Sequence, residues 1–300
     1  MNGKRIFSKP PLPVEEQIKL LQSRGMHIED FEESAHFLSI VNYYRFCGYA
    51  LHYEIFQNRT RTHQYKAGTT FRQVVYLHEF DSKFRTLLFS CIEHIEIAFR
   101  TAICLELSLR YKNGHWYLDK ALYDPSRFKY DEFIADCRKE FNRSREVFST
   151  AYKENYSKPE LPPCWMLSEI LSIGKWSKLF SGLRDHSDQK LIAKHLRCHP
   201  YHLQSWMHGL SFLRNLCAHH SRIWNKTFPI LVHLTDRQKQ SVYNPEKIAP
   251  FCTVIADILT TLDKKDVFKK QLVDLFGKYP MVPIAKMGFA ENWKECPIWK

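Results

Sequence analysis

Three hundred residues, 44% hydrophobic and 25% charged, exclude a disordered, collagenous or low-complexity chain and fit one large domain or two small ones with a real core. Lys and Arg number 44 against 32 Asp and Glu, a formal charge of +12 that 15 His extend below neutral pH, and such a balance favours an anionic partner. No apolar run reaches the ~18 residues of a membrane span, which leaves no support for a membrane partner.

The first residues, MNGKRIFSKPPLPVEEQ, lack an apolar core and read as no signal peptide. Nine Cys are scattered without a C-x-x-C spacing, the pattern of free thiols in a reducing cytoplasm. Residues 8–13 form a stiff leader, and Pro13 opens a helix to about Gly25. Asp30 and Glu33 have capping-box spacing and predict a helix through FEESAHFLSIVNYYRF to near Gly48. Residues 57–69 are polar and turn-like, a loop. Thr70 and Gln73 form a second capping box before a stretch to about Tyr111 that lacks Pro and Gly. Its apolar residues recur every three or four positions from Phe84 to Leu105, an amphipathic helix with Arg85, Glu93, His94, Glu96 and Arg100 on its other face. An ion pair of Arg85 or Arg100 with Glu93 or Glu96 is the simple account of those charges.

Ser126 opens a charged helix to about Tyr156, and Pro163 opens another through WMLSEILSIGKWSKLF. Ser187 caps a short helix to Leu196, and Pro200 starts a helix with Leu203, Trp206, Met207, Leu210 and Leu213 on its apolar stripe. A linker between Pro229 and Pro245 leads to helices at about 246–262 and 264–277, then to a tail from Pro280 strapped down by Trp293 and Trp299. No repeat and no strand pattern stand out. Tyr43, Tyr44, Arg45 and Tyr49 read as core packing before base stacking.

The chemistry concentrates in 211–226, SFLRNLCAHHSRIWNK. On one continuous helix Asn215 and His219 share a face, and Arg222 and Lys226 continue the stripe. Asn215 is placed to hold the His219 ring in one tautomer, and the two cations to hold a phosphate beside it. Arg214 lies about 140° around from His219, so it reaches across, the helix distorts, or a second subunit completes the pair. RNA carries its own nucleophile, the 2′-hydroxyl. A His near neutral pKa can move its proton, and a guanidinium can stabilise charge on the phosphorane, without metal or cofactor. Cys217, His219, His220, Cys198 and His199 match no zinc spacing, and Cys217 reads as a packing thiol.

The chain resembles the Abi-like (abortive infection) family within the HEPN superfamily of helical proteins. The resemblance rests on VNYYRFCGY (41–49), FDSKFRTLLFSCIEHIEIAFRTAI (80–103), HWYLD (115–119), LPPCWMLSEILSIGKWSKLF (161–180), RNLCAHHSRIWN (214–225) and MGFAENWKECPIW (287–299). Ala290, where similar tails often have Pro, and Cys47 depart from the pattern outside the motif. The resemblance implies an all-α, HEPN-like bundle in a single domain, with a helical extension at 1–65, a core at 66–235 and further helices and a tail at 236–300. It implies a metal-independent endoribonuclease of phage defence that leaves a 2′,3′-cyclic phosphate and works as a homodimer. Arg214 and His219 would be the catalytic pair, with Asn215 orienting and His220, Arg222 and Lys226 binding RNA; His220 would act if the helix is distorted. Some HEPN relatives have lost cleavage, so a non-catalytic RNA-binding or toxin–antitoxin module is the alternative.

Overall fold

A computed structural model of the chain describes residues 8, 10–262 and 265–300. Lys9 of the expected leader, residues 1–7 before it and position 264 of the expected last helix lie outside the described residues. The chain divides into two compact units, residues 1–83 and 84–300.

In the first unit, α1 (Val14–Ser23) buries Ile18 and Leu21. Asp30 caps α2 (Phe31–Ile40), its carboxylate accepting from the Glu33 amide at 2.8 Å. The single helix expected from here to Gly48 is two. Val41 is extended, and Asn42 starts α3 (Tyr43–Ala50) by accepting from the Tyr44 amide at 2.7 Å. An excellent N-cap residue after a β-branched one outweighed the continuous apolar pattern. Tyr49 is buried and donates to Asp81 at 2.7 Å, Phe46 stacks on Phe71, and Tyr44 is exposed.

A hairpin runs into the expected loop at 57–69, β1 (Glu54–Gln57) antiparallel to β2 (Thr60–Tyr65). Asn58 and Arg59 both have positive φ, 48° and 64°, the two-residue turn whose twist suits a hairpin. Most strand residues are exposed, with only Glu54 and Tyr65 buried, so no apolar alternation betrays it. Its one buried carboxylate, Glu54, accepts from Arg61 Nη2 at 2.6 Å.

Thr70 and Gln73 form the expected reciprocal cap on α4 (Phe71–Tyr111), which belongs to both units. In the second unit the α4 stripe from Phe84 to Ala102 is largely buried as its spacing predicts, but Leu105 is exposed and Arg85 and Glu96 are buried. The helix expected from Ser126 is α5 (Tyr130–Arg143) and α6 (Val147–Asn155). Ser126 turns back on Asp124, and Ser144 is extended between the two helices. Pro163 precedes α7 (Cys164–Leu167), and α8 (Ile173–Gly182) restarts after extended Ser172. The interruption again falls at serines; the Ser168 hydroxyl bonds the Trp165 carbonyl at 2.8 Å, a local bond that competes with helix.

Asp185, not Ser187, caps α9 (His186–His195). Next comes α10 (Pro200–Ala218), with Pro at its first position. The linker holds α11 (Asp236–Lys239) in a full capping box, and α12 (Ala249–Thr261) and α13 (Lys265–Lys278) complete the set. In the tail, Trp293 and Trp299 meet edge to face at 4.7 Å. The chain is therefore mostly helical, with one two-stranded hairpin among the described residues. None of the helices of the described residues is long and apolar enough to cross a membrane.

The centre of the second unit is α10, packed against α8, α9 and α12. It buries Leu203, Trp206, Met207, Leu210 and Leu213, each worth about 1.5–3 kcal/mol removed from water. Close approach is allowed by Gly209, where a Cβ would lie 2.4 Å from Val232 Cγ1 and 3.1 Å from Phe251 Cε1. Helix propensity favours alanine there by about 1 kcal/mol, but overpacking costs about 1–3 kcal/mol. Gly209→Ala lowers the melting temperature, whereas Gly277→Ala on α13, with open space around it, leaves it unchanged or raises it. Thermal unfolding of the two variants distinguishes them.

Candidate active site

The last turns of α10 carry Arg214, Asn215 and His219. The helix does not run on to Lys226 as a single stripe; it stops at Ala218 with His219 as its C-cap. The stop is a Schellman motif, the Ser221 amide donating to the Leu216 carbonyl at 2.9 Å and the His220 amide to Cys217 at 3.0 Å. His220 takes the left-handed position with φ 55°, where glycine is the ordinary choice. Buried Ile223 and Trp224 then anchor the loop. Arg222 and Lys226 consequently follow the loop and do not extend the Asn215–His219 face. No apolar break signals this end in the sequence, and only a residue tolerant of positive φ was needed to make it.

Arg214 points the other way, toward α4. Its Nε sits 3.7 Å from Glu96 Oε2, and its guanidinium lies 5.5 Å from the centre of the Phe89 ring. Glu96 is only 5% exposed, and its other oxygen accepts from Arg100. Arg100 also donates to the Ser168 carbonyl. Its guanidinium is held below its ordinary range by burial first, against the opposing charge of Glu169, with the Arg214 charge adding to the lowering. One buried carboxylate thus serves two guanidiniums. The i, i+4 spacing of Glu96 and Arg100 was legible as an ion pair; the third member, from α10, was not.

This geometry fixes how Arg214 can be used. Its Nε edge is engaged by Glu96, and its two Nη groups make no hydrogen bond among the described residues. A half-buried guanidinium held on one edge presents the other as a fork suited to a phosphate. Asn215 and His219, about 100° and 140° around the helix from Arg214, are exposed. Among the described residues no hydrogen bond joins the Asn215 side chain to His219, and none joins Arg214 to His219 or His220. Of the three routes open in the sequence, the helix does end before His219.

Beyond the helix end lies a cationic patch missed by local spacing. Lys247 donates to the Asn225 carbonyl and side-chain oxygen at 3.4 and 3.3 Å and to Thr227 at 3.1 Å. Its pKa is pulled down by burial first and then by Arg222, against the opposing charge of Glu246, with Lys286 a further repulsive neighbour. Lys247 is distant in sequence from the motif, so no spacing could have found it.

The thiols fit the packing role. Cys217 is buried under the motif, and among the described residues no group of three or more His, Cys, Asp or Glu is arranged to hold a metal ion. The Cys164 thiol lies 3.2 Å from the Ser108 hydroxyl and 3.9 Å from the Cys104 carbonyl, and the interaction of the two thiols pulls Cys164 down and pushes Cys104 up.

A family model described as Abi-like protein matches residues 36–225, which takes in α10 and ends on Asn225. The chain belongs to the Abi-like protein family. The match includes every motif block quoted above except 287–299, which lies beyond its end. Membership points to a role in abortive infection, the defence response to phage. No curated protein and no solved structure matches the chain.

Two outcomes check this geometry. Glu96→Ala leaves two guanidiniums without their carboxylate and costs about 3 kcal/mol of stability, the usual scale for breaking a buried pair. Arg214→Ala costs far less, because Arg214 is partly solvated and Arg100 still serves Glu96; urea unfolding compares them. His220→Gly relieves the left-handed strain and stabilises by about 1 kcal/mol, read in the same assay.

Proposed function

We propose that this Abi-like protein is a metal-independent endoribonuclease of the HEPN type, acting in phage defence. Arg214 binds the scissile phosphate through its Nη fork. His219 moves the proton of the 2′-hydroxyl or of the leaving 5′-oxygen, and Asn215 orients the ring. Arg222, Lys226 and His220 hold the flanking RNA, with Lys247 beside them. The observation that carries the proposal is the half-buried Arg214, fixed on one edge by Glu96 and open on the other. A carboxylate that only neutralised Arg100 would not need the second guanidinium.

The working unit is a homodimer. Arg214 and His219 sit on different sides of α10, so a guanidinium from one chain and an imidazole from another would complete the centre. The exposed apolar residues Ile97, Leu105 and Leu109 on α4 offer the second copy a surface beside the Glu96 cluster. The protein is cytoplasmic, where its RNA substrate and its free thiols belong.

Purified protein cuts single-stranded RNA in EDTA and leaves 2′,3′-cyclic phosphate ends. Arg214→Ala and His219→Ala each lower the rate at least a hundredfold, and mixing the two variants restores part of it through hybrid dimers. Full cleavage by both variants removes this site. RNA binding without cleavage by wild type favours the second reading, a non-catalytic RNA-binding or toxin–antitoxin module, to which the separation of Arg214 from His219 within one chain also lends support.

A further inference from the structure

A second feature lies on the same helix, away from Arg214. Between α5, α8 and the first turns of α10 is a cleft of about 730 Å³. Its cationic lining is Arg127, Lys129, Lys175 and Lys178 against Glu132 and Asp136. Lys129 pairs with Glu132, and Lys175 with Asp136. Lys178 has no ion pair or hydrogen bond among the described residues. It is close enough to Lys175 to help lower that ammonium's pKa, behind the larger effect of burial. Lys175 is met by Asp136 and also by the charge of Glu132, so the positive charge left unmet at the wall is the Lys178 ammonium.

The mouth of the cleft holds an aromatic pair. The rings of Tyr201 and His233 stack at 4.5 Å with 13° between their planes. The pair is built in place, since α10 fastens the backbone of His233 at both ends. Its amide donates to Ser205 at 2.8 Å, and its carbonyl accepts from Trp206 at 2.7 Å. His202 Nδ1 lies 3.1 Å from the same carbonyl. Tyr201 itself is 57% exposed, a large ring at the surface stacked on a neighbour whose backbone is fixed.

The cleft is aligned with the candidate active site. At 100° per residue Tyr201, Ser205, His208, Phe212, Asn215 and His219 fall within about 40° of one line along α10. Their partners in sequence, Leu203, Met207, Leu210 and Leu213, face the core. His219 stands about 16 Å along the axis from His208 on the cleft wall.

We propose that this cleft binds the unpaired bases and phosphates of a single-stranded RNA, one base extending the Tyr201–His233 stack and the backbone running past Lys178 along α10 toward His219. It rests on the RNA reading above and adds where the strand lies. A stacked aromatic pair offers a π-face to any splayed base, and adjacent cations track the phosphates. A duplex presents phosphates but no free base face, and an acidic peptide would use the lysines without the rings. Unpaired RNA uses both.

The test is fluorescence anisotropy of the full chain with a 2′-O-methylated single strand of about twelve nucleotides, which cannot be cut by 2′-hydroxyl attack, beside a duplex of the same modification. Tyr201→Ala weakens binding of the single strand about tenfold and spares the duplex. Lys178→Ala weakens both a few-fold and lowers the salt slope by about one. Tyr201→Phe, which keeps the ring, binds like wild type and guards against a folding artefact. Wild-type binding by both Tyr201→Ala and Lys178→Ala overturns the proposal, as does equal loss for duplex and single strand after Tyr201→Ala. Cleavage of unmodified RNA, run in parallel, separates the two claims. Weakened binding by the cleft variants with no cleavage by any protein upholds the cleft and removes the nuclease. Cleavage dependent on Arg214 and His219 with unchanged binding by the cleft variants removes the cleft alone. Failure of the wild type to bind the probe removes both.

Discussion

One carboxylate organises the functional end of the second unit. Glu96 is almost fully buried on α4 and lies against two guanidiniums, Arg100 from its own helix and Arg214 from α10. Removing a charge from water is costly and is offset only when opposite charges meet it closely. Here two cations share one buried anion, and Glu169 is a further carboxylate acting on Arg100. The more solvated of the two guanidiniums is Arg214. The interaction therefore does two things with the same atoms: it joins α4 to α10, and it turns one face of an arginine outward.

Much of the architecture was legible because α-helical spacing is strict and caps are chemically explicit. Thr70 and Gln73, Asp30 and Pro200 mark helix starts that the structure keeps. The misreadings share a physical cause. Val41–Asn42, Ser144 and Ser168–Ser172 interrupt apolar patterns that would otherwise continue, since short polar side chains offer the backbone an alternative partner. The hairpin escaped notice because its strands are exposed except at the Glu54–Tyr65 end, leaving nothing for alternation to show.

The site was legible in kind and not in arrangement. Arg214, Asn215, His219 and His220 are near each other in sequence, but a helix sends neighbours to different sides, and this helix ends one residue before His219. Arg222 and Lys226 lose the stripe that a longer helix would have given them. What replaces it comes from elsewhere in the chain, Glu96 from α4 and Lys247 from the segment before α12. Pairings of that kind depend on tertiary packing and leave no local spacing to read.

The close fit at Gly209 carries a consequence for what counts as a module in Abi-like proteins. The family match stops at residue 225, yet the atoms that lie against Gly209 belong to Val232 and Phe251. The helix bearing the motif is thus half-housed by residues the family signature does not describe. A fragment cut at the edge of the signature would expose a notch shaped for a partner it had lost. The recognisable segment and the foldable one are different lengths of chain. Changes far down the sequence, in α12 or the strap before it, therefore have a direct mechanical route to the position of His219.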